Sequence, residues 1–301
     1  MSHRTVGTSF SALVVVVLGA SAVQCSSSSR DGYEAAPDAE APPPQLVSPV
    51  DAADDAAVAD DIDQECTGDN TQIYVLERYP DKIFRFDPAS LTFTFLTRVE
   101  CVGVSGVYSM AVDRRGVAWI VFSNGEFVNI GLSDGECKPI LLKNRPPSFV
   151  RGGMGFSKDD SRSGEGLFVQ NWPGADLFKI DPATRDVSRL GMTHLGAGHA
   201  ELTGTGDGKL FSYFNGSGEV ALLDKTTGAS LETYRTSVLQ FSAFAVAQWG
   251  GDFWIFGRHS PEGTKVYRYS PATDETTLML ETELNIVGAG SSTCAPFKPV
   301  Q

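Results

Sequence analysis

Apolar and polar positions alternate in short bursts along this chain, and the bursts recur as sets. The stretch 92–98 (TFTFLTR) sends Phe93 and Phe95 to one side and Thr92, Thr94 and Leu96 to the other, the period-two signature of a strand. Elsewhere a segment of small residues passes through a Gly-containing turn into an aromatic-rich run. Examples are SMAVDRRGVAWIVF at 109–122, LTGTGDGKLFSYF at 202–214 and AVAQWGGDFWIF at 245–256. Each set then runs into a turn motif: IFRFDPASLT at 83–92, LFKIDPATRD at 177–186, ALLDKTTGAS at 221–230 and VYRYSPATDE at 266–275, with a degenerate copy, VNIGLSDGEC, at 128–137. Aligned on Asp87, Gly131, Asp181, Asp224 and Ser270, the copies lie 43 to 50 residues apart. Four strands repeating at that period predict an all-β fold, a β-propeller.

Small segments mark the first strand of each unit: Ser109-Met110-Ala111, Gly153-Met154-Gly155, Thr203-Gly204, Ala245-Val246-Ala247 and Gly288-Ala289-Gly290. Strands converging on a narrow axis have no room for large side chains on the crowded side. Five such segments and five turns predict five four-stranded blades. A sixth fits only if 141–176 hides a degenerate unit, and SKDDSRSGEG at 157–166 reads as an exposed loop. The fold opens at Ile73 on a second-strand sequence (IYVLE), and NIVGAGSSTC at 285–294 is an orphan first strand. The C-terminal strand is therefore expected to complete the N-terminal blade.

Three unlike parts make up the chain. Residues 1–25 start with His3 and Arg4, run apolar from Ala12 to Ala20 and end in small residues, as secretory signals do. The apolar run is too short to span a membrane. Two cleavage sites compete: Ala20-Ser21-Ala22 fits ordinary signal peptidase, and Ala22-Val23-Gln24-Cys25 resembles a bacterial lipobox, in which Cys25 would be lipidated. On the second reading Ser26, in place of Asp, points to the outer membrane by the same resemblance. Residues 26–65 hold eleven acids against Arg30 alone and few large apolar side chains, so an acidic, disordered Ala/Pro/Asp linker is expected. That linker carries most of the net charge of -13, leaving 66–301, the propeller domain, at about -4. Without a basic excess, nucleic acid is not an expected partner.

Besides Cys25 there are Cys66, Cys101, Cys137 and Cys294. Four cysteines in an exported chain suggest two disulfides, with three possible pairings. Ring closure sets Cys66 just before one strand of the closing hairpin and Cys294 just after the other, which predicts Cys66–Cys294. Cys101–Cys137 follows by elimination, although it requires the 99–107 loop to fold back. No CxxC or Cys/His spacing suggests a metal, and no cofactor is implied.

Ligands of propellers usually sit at the face where the inner strands enter. Tyr79, Arg151, Trp172, His199, Glu201, Ser242, His259 and Asn285 are expected there. Arg151, His199 and Glu201 each directly precede a small-residue inner strand and are expected to point into the channel mouth, a set suited to recognising a carboxylate or sugar, or to acid–base work. The bland alternative pairs Arg151 with Glu201 and leaves His199 in solvent. Asp113 and Asp207 read as turn caps, because their spacing to the following Gly misses the sialidase-type aspartate box. Gly-x-Ser-x-Gly is absent, and the Gly-rich 196–208 lacks the helix that a phosphate loop requires. Trp119, Trp249 and Trp254 read as packing residues.

The stretches SMAVDRRGVAWI, ELTGTGDGKLF, the DPAT turns and the terminal VGAGSSTCAP together resemble uncharacterised exported propeller lipoproteins typical of myxobacteria, over about 66–297. The resemblance implies an envelope location and a propeller, and no substrate. The Asp-x-x-Gly-x-x-Trp turn is also loosely similar to streptogramin-lyase-type and gluconolactonase-type propellers, whose catalytic motifs have no counterpart here. The expected function is a monomeric binding or scaffolding module for an unidentified extracytoplasmic protein or glycan, touching a membrane only through an N-terminal lipid. The alternative is an extracytoplasmic lyase or hydrolase of lactonase-like or glycan-lyase-like type at the channel mouth.

Overall fold

Residues 66, 68–101, 106–161, 163–193 and 198–300 are described by a computed structural model of the chain. The signal segment, Cys25 and the linker 26–65 lie outside them. Twenty strands form five antiparallel four-stranded sheets. From the axis outward, blade I holds β20 (Ile286–Ser291), β1 (Ile73–Glu77), β2 (Lys82–Asp87) and β3 (Thr92–Arg98). Blade II holds β4 (Val107–Val112), β5 (Val117–Phe122), β6 (Phe127–Gly131) and β7 (Cys137–Ile140). Blade III holds β8 (Arg151–Lys158), β9 (Glu165–Trp172), β10 (Asp176–Ile180) and β11 (Val187–Met192). Blade IV runs β12 (Ala200–Gly204), β13 (Leu210–Phe214), β14 (Glu219–Leu223) and β15 (Ser230–Arg235). Blade V runs β16 (Ala243–Trp249), β17 (Asp252–Arg258), β18 (Thr264–Ser270) and β19 (Glu275–Thr282). The chain is a five-bladed β-propeller, and the recurring turn motif ends the third strand of every blade.

Apolar second strands follow from burial on both faces. In β5, Trp119 and Val121 pack toward blade III while Ala118, Ile120 and Phe122 pack toward blade I. In β1, Ile73 and Val75 face blade V, and Tyr74 and Leu76 face blade II. Each of the five hydrophobic clusters among the described residues fills one interface between neighbouring blades. The core is thus a ring of seams. Phe93 joins the seam with blade V and Leu96 the seam with blade II, as their alternation requires.

Small residues line the axis because neighbouring inner strands touch backbone to backbone. A Cβ at Gly153 would strike the Ala200 carbonyl and the Glu201 Cα, and one at Gly155 would strike Leu202 and Thr203. The orphan strand β20 closes the ring by pairing with β1, Ile73 opposite Ser291 and Leu76 opposite Gly288. Phe86 reinforces the closing seam, packing edge-on against Trp254 at 5.4 Å and Phe256 at 5.5 Å.

Both expected disulfides are present, with Cα–Cα separations of 5.3 Å for Cys66–Cys294 and 5.7 Å for Cys101–Cys137. Cys101 and Cys137 both pack on the seam between blades I and II, which sets them within bridging distance. Two disulfides mark an oxidising, extracytoplasmic compartment. The stretch 157–166 departs from expectation. Its ends belong to the eight-residue strands β8 and β9, and Ser157 and Glu165 are buried. Polar partners make this burial tolerable: Ser157 Oγ donates to the Lys209 carbonyl at 2.9 Å, and Lys179 pairs with Asp159 at 2.6 Å. No sixth blade hides in 141–176, whose first ten residues simply lead into β8.

Candidate functional site

Hydrogen bonds cross the channel axis, most of them between blades that are not neighbours. Ser109 of blade II donates its hydroxyl to Glu201 Oε2 of blade IV at 2.8 Å. Lower down, the hydroxyls of Thr203 (blade IV) and Ser291 (blade I) meet at 3.5 Å. At the far end Glu165 of blade III accepts the Arg114 amide of blade II at 2.9 Å and the Thr293 hydroxyl, just past β20, at 2.7 Å. Three polar layers thus cross the axis.

Four aromatic and cationic groups stack at the channel mouth. Arg151 opens β8 and lies opposite Trp172 at the end of β9, which brings its guanidinium 4.8 Å from the indole centroid. Its other face lies 5.0 Å from the ring of Tyr108. His199 stacks on Trp172 at 4.8 Å with an interplanar angle of 26°. The order Tyr108, Arg151, Trp172, His199 crosses blades II, III and IV. Tyr108 is the extra residue of a bulge between Val107 and Ser109, and bulges re-aim side chains in this way. Burial pushes the Tyr108 hydroxyl up to about 12. Burial, and then the charge of Arg151, hold His199 below its ordinary value, so its imidazole is neutral at physiological pH.

Glu201 is inside the strand β12 and not ahead of it, and it is only 4% exposed. Burial raises its carboxyl well above the ordinary value, and the bonds from Ser109 and the Met154 amide offset part of that rise. The pairing of Arg151 with Glu201 does not occur. Arg151 donates instead to the Ser123 carbonyl at 2.7 Å. His199 stacks on the Trp172 indole and stays exposed to solvent, as the alternative expected.

The other candidates gather on the blade I and blade V side of the mouth. Tyr79, Ser242 and Asn285 line a hollow of about 570 Å³ with Arg78, Arg258 and Ser260. His259 lies 4.9 Å from Phe241, and Tyr79 is 74% exposed. Arg78 Nη2 donates to Ser123 Oγ at 3.1 Å, which ties this hollow to the stacked column. Sequence reasoning missed Tyr108, Ser123, Arg78 and Arg258, none of which stands in a repeated motif. A second hollow, about 860 Å³, lies by the Cys101–Cys137 bridge. Asp113 caps its own turn, accepting the Arg115 and Val117 amides at 3.0 Å. Trp119 and Trp254 are buried, and Trp249 donates to the Thr71 carbonyl at 2.8 Å.

No protein-family model matches the chain, and comparison with curated proteins returned no match. Solved structures share the fold. A chain of the nidogen/laminin complex is 12% identical, the match covering 74% of this chain and 82% of that one with a TM-score of 0.50. TolB from Acinetobacter baumannii is 18% identical over 72% of this chain and 55% of its own, TM-score 0.44. A streptogramin B lyase is 15% identical over 70% and 69%, TM-score 0.42. This chain thus spans about half the length of the TolB chain. At these identities the likeness is one of fold.

Proposed function

We propose that this chain is a non-catalytic binding module with its recognition surface at the channel mouth. It is tethered to the outer membrane through lipidated Cys25 and held off the surface by the acidic stretch 26–65. Its partner is an extracytoplasmic protein or glycan, which it meets as a monomer. The bond from Ser109 to Glu201 carries the reading. A general acid or base must come within hydrogen-bond reach of a substrate. Glu201 spends its carboxyl on Ser109 and the Met154 amide beneath the stacked column. Left facing outward are a flat cation, an indole and a neutral imidazole, groups that hold a ligand.

Thermal melting of the exported protein with a panel of glycans and peptides tests this. A ligand at 100 times its dissociation constant is expected to add about 2.7 kcal/mol. Trp172→Ala and His199→Ala should abolish the gain, and Glu201→Gln should keep it. Turnover of a lactone or glycan that Glu201→Gln removes would overturn the reading in favour of a hydrolase or lyase. Palmitate labelling that Cys25→Ala abolishes supports the tether, and soluble secretion unchanged by that substitution counts against it.

A further inference from the structure

Three arginines stand around the mouth without an acid to neutralise them. Arg151 of blade III and Arg78 of blade I both bond to Ser123, one to its carbonyl and the other to its hydroxyl. Arg258 of blade V donates Nη1 to Asn285 Oδ1 at 3.2 Å and Nε to the Glu262 carbonyl at 2.6 Å. Asn285 in turn donates to the Arg78 carbonyl at 3.0 Å. Ser123 thus joins the guanidiniums of Arg78 and Arg151, and Asn285 joins that of Arg258 to the Arg78 backbone, setting the three in one arc. Every acceptor they use is neutral, and among the described residues none of the three has a carboxylate in ion-pair range.

Acids close in sequence are turned elsewhere. Glu77 faces Lys82 at 3.5 Å, Asp81 accepts the Tyr79 amide at 3.3 Å, and Glu262 faces Lys265 at 3.4 Å. Two guanidiniums held on one serine repel each other, and a bound anion would offset that repulsion. Elsewhere Arg189, Arg235 and Lys179 each pair with a carboxylate within 3.0 Å, while Arg145 bonds only to carbonyls.

We propose that this arc binds an acidic oligosaccharide, its carboxylates taken by Arg151, Arg78 and Arg258 in succession. Guanidinium forks match carboxylates in two-point geometry. An arc spread over three blades suits a repeating anion better than one small ion. Tyr79, 74% exposed, flanks it with a flat face for a sugar ring. Ser242, Ser260 and Asn285 line the adjoining hollow with groups that bond sugar hydroxyls. The proposal rests on the reading of this face as a binding surface.

Calorimetric titration of the exported protein tests it with tri-galacturonate, its methyl ester, tri-glutamate and inorganic phosphate, at low and high salt. Tri-galacturonate should bind, more weakly at high salt, and Arg78→Gln and Arg258→Gln should each weaken it at least about tenfold. Arg78→Lys should recover only part, since it restores the charge without the fork. Melting curves of the variants confirm that they fold. Equal binding of the methyl ester, or binding indifferent to both Gln variants, overturns the arc. Tri-glutamate bound as tightly overturns the saccharide in favour of an acidic peptide, and phosphate bound as tightly overturns the extended ligand. If a neutral glycan binds through Trp172 while the arginine variants change nothing, the binding surface stands and the arc falls. If no probe binds, the acidic-saccharide proposal falls, and the panel melt above decides the broader reading.

Discussion

Thr293 gives its hydroxyl to the buried carboxyl of Glu165 at 2.7 Å, joining a residue just past the last strand to a blade two places round the ring. Burial pushes that carboxyl up to about 7 against the two bonds it accepts. Because the folded value lies above the ordinary 4.5, the protonated form favours the fold. Its contribution is complete below about 4.5 and is lost as pH rises through about 7, for about 3 kcal/mol in all. Glu201 is displaced in the same direction. Denaturant unfolding from pH 4 to 8 should therefore slope downward, and Glu165→Gln should flatten the slope while its amide keeps both partners. An unchanged slope would show that Glu165 titrates as an ordinary carboxyl.

The two disulfides should differ in worth. Cys66–Cys294 spans 228 residues and Cys101–Cys137 spans 36. On chain entropy the first contributes about 5 kcal/mol and the second about 4, both upper values. Replacing the first pair by serine should cost the most stability, because it also frees the closing hairpin. Peptide mapping without reduction checks the pairings, and equal losses in the two double variants would count against the closure role.

Gly153→Ala should destabilise by about 1–3 kcal/mol or more, because its Cβ meets backbone and not a yielding side chain. Gly68→Ala, with nothing within 4 Å, should stay within about 0.5 kcal/mol. Urea midpoints of the two variants make the comparison. If both are neutral, the inner strands are looser than the close approach at Gly153 implies.

His199 should titrate below the ordinary histidine value of 6.5 by nuclear magnetic resonance. Removing the nearby charge by Arg151→Gln should move it upward, and Trp172→Ala should move it further by admitting water. A titration untouched by either change would mean that the stacked column does not hold in solution.

Much of the fold was legible because it is local. The DPAT turns, the alternation at 92–98 and the glycines of the inner strands each report a constraint that repeats in every blade. Closure was legible too, since IYVLE lacks a first strand and NIVGAGSSTC lacks a blade. The site was legible only in part. Arg151, Trp172, His199 and Glu201 stood out as chemically capable residues near inner strands, yet sequence could not say which of them touch. Tyr108 was hidden because a bulge aims it, and a bulge is a matter of pairing register. Arg78 and Arg258 were hidden because a cation announces nothing until its neighbours are known to lack acids.

By itself the sequence determined the repeat, the closing strand and the Cys66–Cys294 pair; it favoured five blades over six and left Cys101–Cys137 to elimination. Each follows from period, strand order or a side chain's need for space. Only the tertiary structure decided that Glu201 turns inward to Ser109 and not to Arg151, and that three arginines share one mouth. Those relations join residues from different blades, and hydrogen bonding and charge act through space, at distances that spacing along the chain does not encode.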